Sequence, residues 1–210
     1  MRNIKLTIEY DGKDFNGWQK QKDRLNIQGT IENAIELVTG EVVDLNASGR
    51  TDAGVHAIGQ VANFKTNTKI PIEKIPIALN TKLKKTIRII NAEEVDERFH
   101  SRLTCKRKTY RYVINNSEFS SAIYRNLECH IPQKLDIEKM QEAAKYFEGE
   151  HDFKAFKASG TSSKSSVRTI YKANVYKRND SRIIIELTRK WLFIQHGKNN
   201  CRNTCRGWIK

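Results

Sequence analysis

The sequence predicts an α+β protein of two similar lobes, each combining antiparallel-type strands with one or two helices. Strand-like alternation and helix-like spacing of apolar residues follow one another in both halves of the 210-residue chain, with a break near residues 100–106. The composition, 38% hydrophobic and 30% charged, is that of a chain able to bury a core. We therefore expect domains over residues 1–103 and 104–188, followed by a segment of different composition over residues 189–210.

The first lobe is predicted from four strand-like and two helix-like segments. Alternating or short apolar runs predict strands over residues 4–10, 42–45, 60–65 and 87–95. Apolar residues spaced three and four apart predict helices over residues 28–39 and 75–83. Thr30 and Asn33 offer only a partial cap for the first helix, which Gly40 ends. Pro76 is tolerated because it lies in the first turn of the second helix.

The second lobe shows the same mixture of patterns. Its strands are predicted over residues 106–115, 169–176 and 182–187. Asp136 is suited to cap a helix whose inward face includes Phe147, and we expect that helix to end at Gly149. Asn179 and Asp180 are typical turn residues between the last two strands.

The charge balance favours a polyanionic partner. The chain has 38 basic and 24 acidic residues, a formal net charge of +14, and basic side chains bind phosphates with release of counterions. High solubility alone would also account for this charge. Residues 189–210 contain six basic residues and no acidic one, so this segment adds to the imbalance.

The sequence predicts a cytoplasmic protein without membrane association. No apolar run approaches the ~18 residues of a membrane span, and a strand-like pattern starts directly after Met1. The four cysteines have no regular spacing, which favours reduced thiols over a disulfide framework.

The segment SGRTDAGVHA, residues 48–57, is the strongest local candidate for a reactive site. Its glycines permit a close approach of ligand to backbone, and Arg50 would keep the carboxylate of Asp52 ionised and nucleophilic. The alternative is a polar turn with a structural ion pair, which on spacing alone is the more common outcome. His56 stands between apolar neighbours, which favours a packed residue over a catalytic base.

Basic and aromatic residues alternate in the segment KRKTYRY, residues 106–112. On a strand, such a pattern supplies phosphate contacts together with flat faces on which bases stack. The alternative is an edge strand with Tyr110 and Tyr112 in the core and the charges in water.

Six segments together resemble the tRNA pseudouridine synthase A family. They are YDGKDFNGWQKQ at 10–21, NIQGTIENA at 26–34, ASGRTDAGVHA at 47–57, RFHSRLTCKRKTYRY at 98–112, HDFKAF at 151–156 and SSVRTIY at 165–171. The resemblance implies isomerisation of uridine to pseudouridine at positions 38 to 40 of the tRNA anticodon stem-loop. It also implies a homodimer without metal or organic cofactor, whose active cleft lies between the lobes.

The resemblance also implies roles for particular residues. Asp52 would be the nucleophile, Tyr110 would stack on the target uracil, and Arg50 would help to hold the flipped nucleotide. The residues themselves leave open whether Asp52 attacks the sugar or the uracil ring. Contacts to the RNA backbone are expected from Lys106, Arg107, Lys108, Arg111 and Arg168.

After Thr188 the resemblance stops, and the chain reads RKWLFIQHGKNNCRNTCRGWIK. Family members continue with a segment of the type GNGFLYNMVR. Codons permitted for residues 189–208, read one base later, spell GNGFLYNMVKIIAGTLVEV. We therefore interpret residues 189–210 as a frameshifted tail, produced by a mutation or a sequencing error, which would leave the second lobe incomplete and the enzyme weakened or inactive.

Two other functions are compatible with the sequence. A chain with the basic cleft but a damaged second lobe could be a catalytically inactive RNA-binding protein. His196, Cys201 and Cys205 could instead form a zinc site in the tail, although three candidate ligands at this spacing fit no common zinc motif.

Overall fold

The computed structural model describes residues 1–156, 166–178 and 180–190 of the chain. These residues form two compact units, Met1–Cys105 and a second unit that begins at Lys106. Each unit combines one sheet with helices, so the predicted α+β class is confirmed. Within the described residues, no helix has both the length and the apolar character needed to cross a bilayer.

The first unit is an antiparallel sheet with two α-helices. Its elements are β1 (Arg2–Tyr10), α1 (Ile27–Thr39), β2 (Asn46–Ala47), β3 (Ala57–Thr66), α2 (Ile75–Lys82) and β4 (Ile87–Val95). The strand order is β2-β3-β1-β4, which places β1 inside the sheet with partners on both sides. A 3₁₀ turn over Ile72–Lys74 precedes α2.

The core of the first unit lies on one face of this sheet. Alternate residues of β1 are almost completely buried there, namely Ile4, Leu6, Ile8 and Tyr10. They pack in one cluster with Ile31 and Ile35 of α1 and with Leu79 of α2. The alternate apolar residues in the sequence of β1 are therefore the residues on its buried face.

Helix α1 begins at Ile27, one residue before the predicted start, and its cap is not the partial one expected from Thr30 and Asn33. The side chain of Asn26 caps it, with Oδ1 accepting a hydrogen bond from Gly29 N–H at 2.8 Å. Thr30 instead lies inside the helix and donates its hydroxyl to the Asn26 carbonyl at 2.7 Å. The predicted end is confirmed, because Gly40 adopts a left-handed conformation with φ of 73°.

The predicted strand over residues 42–45 is wrong. Pairing with β3 starts only at Asn46, and β2 contains two residues. Leu45 is buried, but its N–H donates to Glu32 Oε1 of α1 at 3.2 Å rather than to a strand. Val42 is 84% exposed. This short apolar run therefore forms a loop rather than a strand, because the carboxylate of Glu32 accepts the backbone hydrogen bond of Leu45 that a neighbouring strand would otherwise accept.

A buried polar network fixes the chain on the second face of this sheet. Asn63 Oδ1 accepts hydrogen bonds from the N–H and the hydroxyl of Ser101, at 2.8 and 2.9 Å. Asn63 Nδ2 donates to Asn3 Oδ1 at 2.9 Å, and Asn3 Nδ2 donates to the carbonyls of Asp96 and Phe99. Buried amides must be paired in this way, so residues 96–101 are held against the sheet.

The second unit is a five-stranded sheet with one α-helix among the described residues. Its elements are β5 (Arg107–Asn115), β6 (Cys129–His130), α3 (Ile137–Lys145), β7 (Gly149–Asp152), β8 (Val167–Lys177) and β9 (Arg182–Lys190). The strand order is β6-β5-β9-β8-β7. The short strands β6 and β7 were not predicted, and β5 with β6 is a parallel pair in an otherwise antiparallel sheet.

Asp136 caps α3 as predicted, accepting a hydrogen bond from Lys139 N–H at 3.1 Å. The predicted end at Gly149 is wrong, because α3 stops at Lys145 and Gly149 opens β7 with φ of 96°. The glycine therefore serves a strand rather than a helix terminus. The core of this unit contains Ile114, Ala173, Val175, Ile183 and Ile185.

Strand β9 continues past the predicted limit at residue 187. Arg189 pairs with Lys108 of β5 and with Ile170 of β8, and Lys190 pairs with Arg107. These two residues of the predicted tail are therefore part of the sheet, and the interpretation of the tail as frameshifted stays a prediction. The remainder of the tail, residues 191–210, lies outside the described residues. The prediction of an incomplete second lobe concerns those residues and stays a prediction.

Replacing Asn26 with Ala is expected to lower the free energy of unfolding by about 1 kcal/mol, because Gly29 N–H loses its capping acceptor. Asn26→Asp keeps an acceptor oxygen and is expected to retain most of the stability. Asn67→Ala, at an exposed position, is the matched control. Urea titration followed by circular dichroism measures all three. Equal loss in Asn26→Ala and Asn67→Ala would contradict the capping role.

Candidate active site

The candidate nucleophile, Asp52, lies in the loop that joins β2 to β3. The start of this loop is tied to β3 by hydrogen bonds. Ser48 donates its N–H to the Val61 carbonyl at 2.7 Å and its hydroxyl to Gln60 Oε1 at 2.7 Å. Gln60 Nε2 in turn donates to the Gly49 carbonyl at 2.5 Å. The two residues before Arg50 are thus fixed by the sheet.

A second loop, residues 11–18, supports the Asp52 loop through its backbone. Trp18 N–H donates to the Thr51 carbonyl at 3.0 Å, and Gly54 N–H donates to the Phe15 carbonyl at 3.3 Å. Phe15 and Trp18 are both buried in the core of the first unit. Asp52 is therefore flanked on each side by a residue that is hydrogen-bonded to an anchored loop.

Two glycines allow these loops to approach closely. A Cβ on Gly12 would lie 1.9 Å from the carbonyl oxygen of Val55. A Cβ on Gly17, which has φ of +83°, would lie 2.6 Å from the carbonyl oxygen of Thr51. Both distances are far below van der Waals contact, and the obstructing atoms belong to the backbone. The glycines in the segment 10–21 are therefore needed for packing against the Asp52 loop.

Tyr10 fixes the residue that precedes Asp52. Its hydroxyl lies 2.8 Å from Thr51 Oγ1, and its ring lies 6.1 Å from that of Trp18 in a tilted arrangement. Burial raises the pKa of Tyr10 to about 12, while hydrogen bonds from Thr51 and Gln60 lower it by less. The phenol is therefore neutral at physiological pH and acts as a hydrogen-bonding prop.

Asp52 itself is half-buried, and its carbonyl accepts a hydrogen bond from Val55 N–H at 3.2 Å. That bond closes a turn whose third residue, Gly54, has φ of 78°. Arg50, two residues earlier, is exposed. The structure thus places Asp52 and Arg50 in one anchored loop.

His56 has a structural environment, as the sequence favoured. Its Nδ1 lies 3.0 Å from Asp11 Oδ1 and 3.2 Å from Gly12 N. Asp11 and Gly12 belong to the supporting loop, so the imidazole joins the end of the Asp52 loop to it. This contact could not be predicted from the sequence, because Gly12 and His56 are 44 positions apart.

The second candidate surface is in the second unit, around Tyr110 of β5. Tyr110 is 37% exposed. Its hydroxyl accepts a hydrogen bond from Arg189 Nη2 at 2.9 Å, and the guanidinium carbon lies 5.1 Å from the centroid of the ring. Arg189 was not a predicted site residue. Only extension of β9 beyond residue 187 could have revealed it.

The predicted backbone-binding residues divide between the two faces of the second sheet. Lys108 and Tyr110 lie on the same face of β5, since residues two apart share a face. Arg111 lies on the opposite face, where it binds Glu186 at 2.7 Å. Arg107 shares that opposite face. Lys106 precedes the strand and is exposed.

No group of three or more potential metal ligands occurs among residues 1–156, 166–178 and 180–190. The candidate zinc ligands His196, Cys201 and Cys205 lie outside the part of the chain that the structure describes.

A sequence profile described as tRNA pseudouridine synthase matches residues 6–103 and 143–192. These ranges include the Asp52 loop, its supporting loop and strands β8 and β9. The chain belongs to the tRNA pseudouridine synthase family.

Curated relatives in this family are about half identical to the chain. A protein named tRNA pseudouridine synthase A from Acetivibrio thermocellus is 52% identical over 187 residues, 89% of this chain and 76% of the relative. Its namesake from Thermoanaerobacter sp. strain X514 is 49% identical over 86% of this chain and 74% of the relative. The protein named tRNA pseudouridine synthase A 2 from Clostridium perfringens is 55% identical over 81% of this chain and 70% of the relative.

Gly12→Ala is expected to destabilise the first unit by on the order of 1–3 kcal/mol, because its Cβ would overlap the Val55 carbonyl oxygen. Gly59→Ala is the control, since a Cβ at Gly59 meets no atom within 4 Å. Chemical denaturation measures both variants. A loss in Gly12→Ala no larger than that in Gly59→Ala would show that the two loops do not pack as described.

Tyr10 is expected to make stability fall between about pH 10 and 12. In the unfolded chain Tyr10 loses its proton near pH 10, whereas in the folded chain it does so near the raised pKa of about 12. The unfolded state therefore binds fewer protons in this window, and the associated stability, roughly 2 to 3 kcal/mol, is lost as pH rises.

Comparing wild type with Tyr10→Phe isolates this contribution from the titration of lysines. The difference in free energy of unfolding between the two proteins is measured at pH 8, 10 and 11.5. Between pH 8 and pH 11.5, the free energy of unfolding of wild type should fall relative to that of Tyr10→Phe. A difference that is constant with pH would contradict the burial of an ionisable phenol.

Proposed function

We propose that this chain is a tRNA pseudouridine synthase that isomerises uridine, with Asp52 as the nucleophile. The observation that carries the proposal is the anchoring of Asp52 in a loop whose neighbours are fixed from both sides, within the range matched by the family profile. A nucleophile held in one geometry loses little entropy on reaching the transition state. Its relatives in the family are named for this reaction.

The reaction conserves atoms. The C1′–N1 bond breaks, the uracil turns, a C1′–C5 bond forms, and the proton on C5 passes to N1 by way of a base or water. Asp52 attacks either C1′ of the sugar, with N1 of the uracil leaving, or the uracil ring; in both cases the bond to Asp52 breaks again by the time the C1′–C5 bond is complete, which regenerates the carboxylate. Either attack requires the ionised carboxylate. The uracil must first leave the stack. In the proposal Arg50 holds the flipped nucleotide, and Tyr110 stacks on the uracil with its partly exposed ring.

The proposed substrate is the anticodon stem-loop of tRNA, at positions 38 to 40. The formal net charge of +14 supports a polyanionic partner, and the site itself requires no metal or organic cofactor in this mechanism. Lys106, Arg107, Lys108, Arg111 and Arg168 are the proposed backbone contacts, of which Arg107 and Arg111 lie on the face opposite Tyr110 and would contact a different part of the RNA. We further propose, from the resemblance to the family, that the enzyme is a cytoplasmic homodimer.

One observation favours a second candidate function, RNA binding without catalysis. The family profile matches the chain only as far as residue 192, and the segment GNGFLYNMVR that the resemblance leads us to expect after Thr188 is not in the sequence. A binder would keep the basic surface and lack turnover. Measurement of binding and turnover on the same samples separates the two functions.

The test is pseudouridine formation in unmodified tRNA, read by carbodiimide labelling and primer extension. Asp52→Asn keeps the size of the side chain and removes its charge, so turnover should fall by at least about three orders of magnitude. Asp44→Asn, at an exposed position of the same unit, is the matched control and should retain wild-type turnover. Equal turnover of Asp52→Asn and wild type would overturn the assignment of the nucleophile.

The chain with the restored reading frame after Thr188 is assayed in parallel. Turnover by the restored chain alone would identify the 210-residue chain as a disabled synthase. Turnover by both would show that the substituted tail is tolerated. RNA binding without turnover by either chain would replace the proposed function with the second candidate.

A further inference from the structure

Gln60 of β3 is a polar residue on the apolar face of the first sheet. The strand register pairs Ala62 with Leu6 and Gln60 with Ile8. Directly paired residues share a face, and so do residues two apart on one strand. Ala62, Leu6 and Ile8 are almost completely buried, whereas Gln60 is half-buried. A polar side chain at such a position requires hydrogen-bond partners, and the partners of Gln60 indicate its role.

The amide of Gln60 has an orientation that its partners define. Nε2 donates to the Gly49 carbonyl at 2.5 Å, and a carbonyl oxygen can only accept. Oε1 accepts the hydroxyl of Ser48 at 2.7 Å. Turning the amide by 180° would place Oε1 against the Gly49 carbonyl oxygen, which is unfavourable. Both ends of the amide are therefore bound to the start of the Asp52 loop.

Gln60 also forms a hydrogen bond with the hydroxyl of Tyr10, and this bond lowers the pKa of the phenol. A hydrogen bond lowers the pKa of a phenol when it is donated to the phenolic oxygen, so the second N–H of Nε2 is the donor. The Tyr10 hydroxyl lies 2.8 Å from Thr51 Oγ1. Gln60 is thereby joined, through Tyr10, to the residue that directly precedes Asp52.

A β-bulge accompanies Gln60 in the pairing of β1 with β3. The pairs change from Ile8–Gln60 to Tyr10–Ala57, so that two residues of β3 lie opposite one residue of β1. An extra residue bends its strand, and bulges commonly redirect a side chain beside an active site. Because β3 begins at Ala57, the bulge lies between the end of the Asp52 loop and the side chain that binds its start.

We propose that Gln60 is a positioning residue for the nucleophile Asp52. The inference rests on the proposed function for the role of Asp52. Direct contacts of Gln60 hold the two residues before Arg50, and its contact through Tyr10 holds the residue after Arg50. One side chain of β3 therefore fixes the backbone that leads to the nucleophile. A displacement of about 1 Å at a reacting group can lower a rate on the order of 100-fold.

The first test is turnover of Gln60→Glu, which keeps the size of the side chain and an acceptor for Ser48 but removes both N–H donors. In unmodified tRNA, kcat for pseudouridine formation should fall roughly 10- to 100-fold. KM should change by less than about twofold, because RNA binding does not depend on the exact place of the carboxylate. Gln60→Met, which removes every polar atom of the amide, should show the same separation of kcat from KM.

The second test is hydrogen exchange of the free protein, measured by mass spectrometry, which requires no turnover. In Gln60→Glu the amides of residues 48–55 should exchange at least about tenfold faster than in wild type. The amides of Ser48, Gly54 and Val55 are hydrogen-bonded to backbone carbonyls. Their protection therefore measures how firmly the Asp52 loop is held.

Asn80→Asp is the matched control for both tests. Asn80 is also half-buried in the first unit, and its amide bonds the N–H and the carbonyl of Ile89 in β4, each at 2.9 Å. The change likewise converts an amide to a carboxylate and removes a donor from a backbone carbonyl. It should lower the free energy of unfolding without changing kcat or the exchange of residues 48–55.

Tyr10→Phe separates the two sets of contacts. It removes the link to Thr51 and leaves the bonds of Gln60 to Ser48 and Gly49. We expect kcat to fall by less than in Gln60→Glu, again without a change in KM. Far-UV circular dichroism verifies that each variant is folded. Should Gln60→Glu not fold, an unchanged kcat in Tyr10→Phe would overturn the inference.

Unchanged exchange of residues 48–55 in Gln60→Glu would overturn the inference, and so would faster exchange with an unchanged kcat. An equal decrease of kcat in Asn80→Asp would do the same, because a general loss of stability would then explain the result. Turnover is measured for the 210-residue chain and for the chain with the restored reading frame. Absence of pseudouridine with both would refute the proposed function, whereas hydrogen exchange would still decide whether Gln60 holds the loop.

Discussion

The close contact between two backbone loops is the constraint on which the candidate active site depends. Residues 11–18 lie so near residues 51–55 that two positions accept only glycine, Gly12 and Gly17. The hydrogen bonds across this contact join main-chain atoms, so they depend on the distance between the two backbones and not on the identity of the side chains. Because Phe15 and Trp18 sit in the core, the position of Asp52 is coupled to the stability of the whole first unit.

The second unit depends on a different element, the central strand β9. It pairs with β5 on one side and with β8 on the other. Its residues Ile183 and Ile185 are buried in the apolar core of this unit. The same strand carries Arg189 one residue before its end, on the face that carries Tyr110. Core packing at one end of β9 therefore sets the position of a cation at the other, since a strand is a stiff element once it is paired on both edges.

The two units contribute different chemistry to the proposed enzyme. The first offers a carboxylate on a loop whose backbone is anchored, which suits nucleophilic attack. The second offers an aromatic face among cations, which suits a nucleotide. The net charge of the chain attracts RNA without regard to sequence, whereas the register of β5, β8 and β9 decides which cations stand together.

The sequence alone determined the α+β class, most element positions, the family and the candidate residues Asp52 and Tyr110, because local periodicity and motif order carry that information. Tertiary structure decided the rest. Apolar residues 42–45 form no strand because a carboxylate of α1 binds the backbone there. The need for Gly12 and the place of Arg189 arise from contacts between residues distant in the chain. The charged side chain of Arg189 also interrupts the apolar alternation of β9. The end of this strand is therefore defined by its pairing with β5 and β8 and not by the sequence pattern.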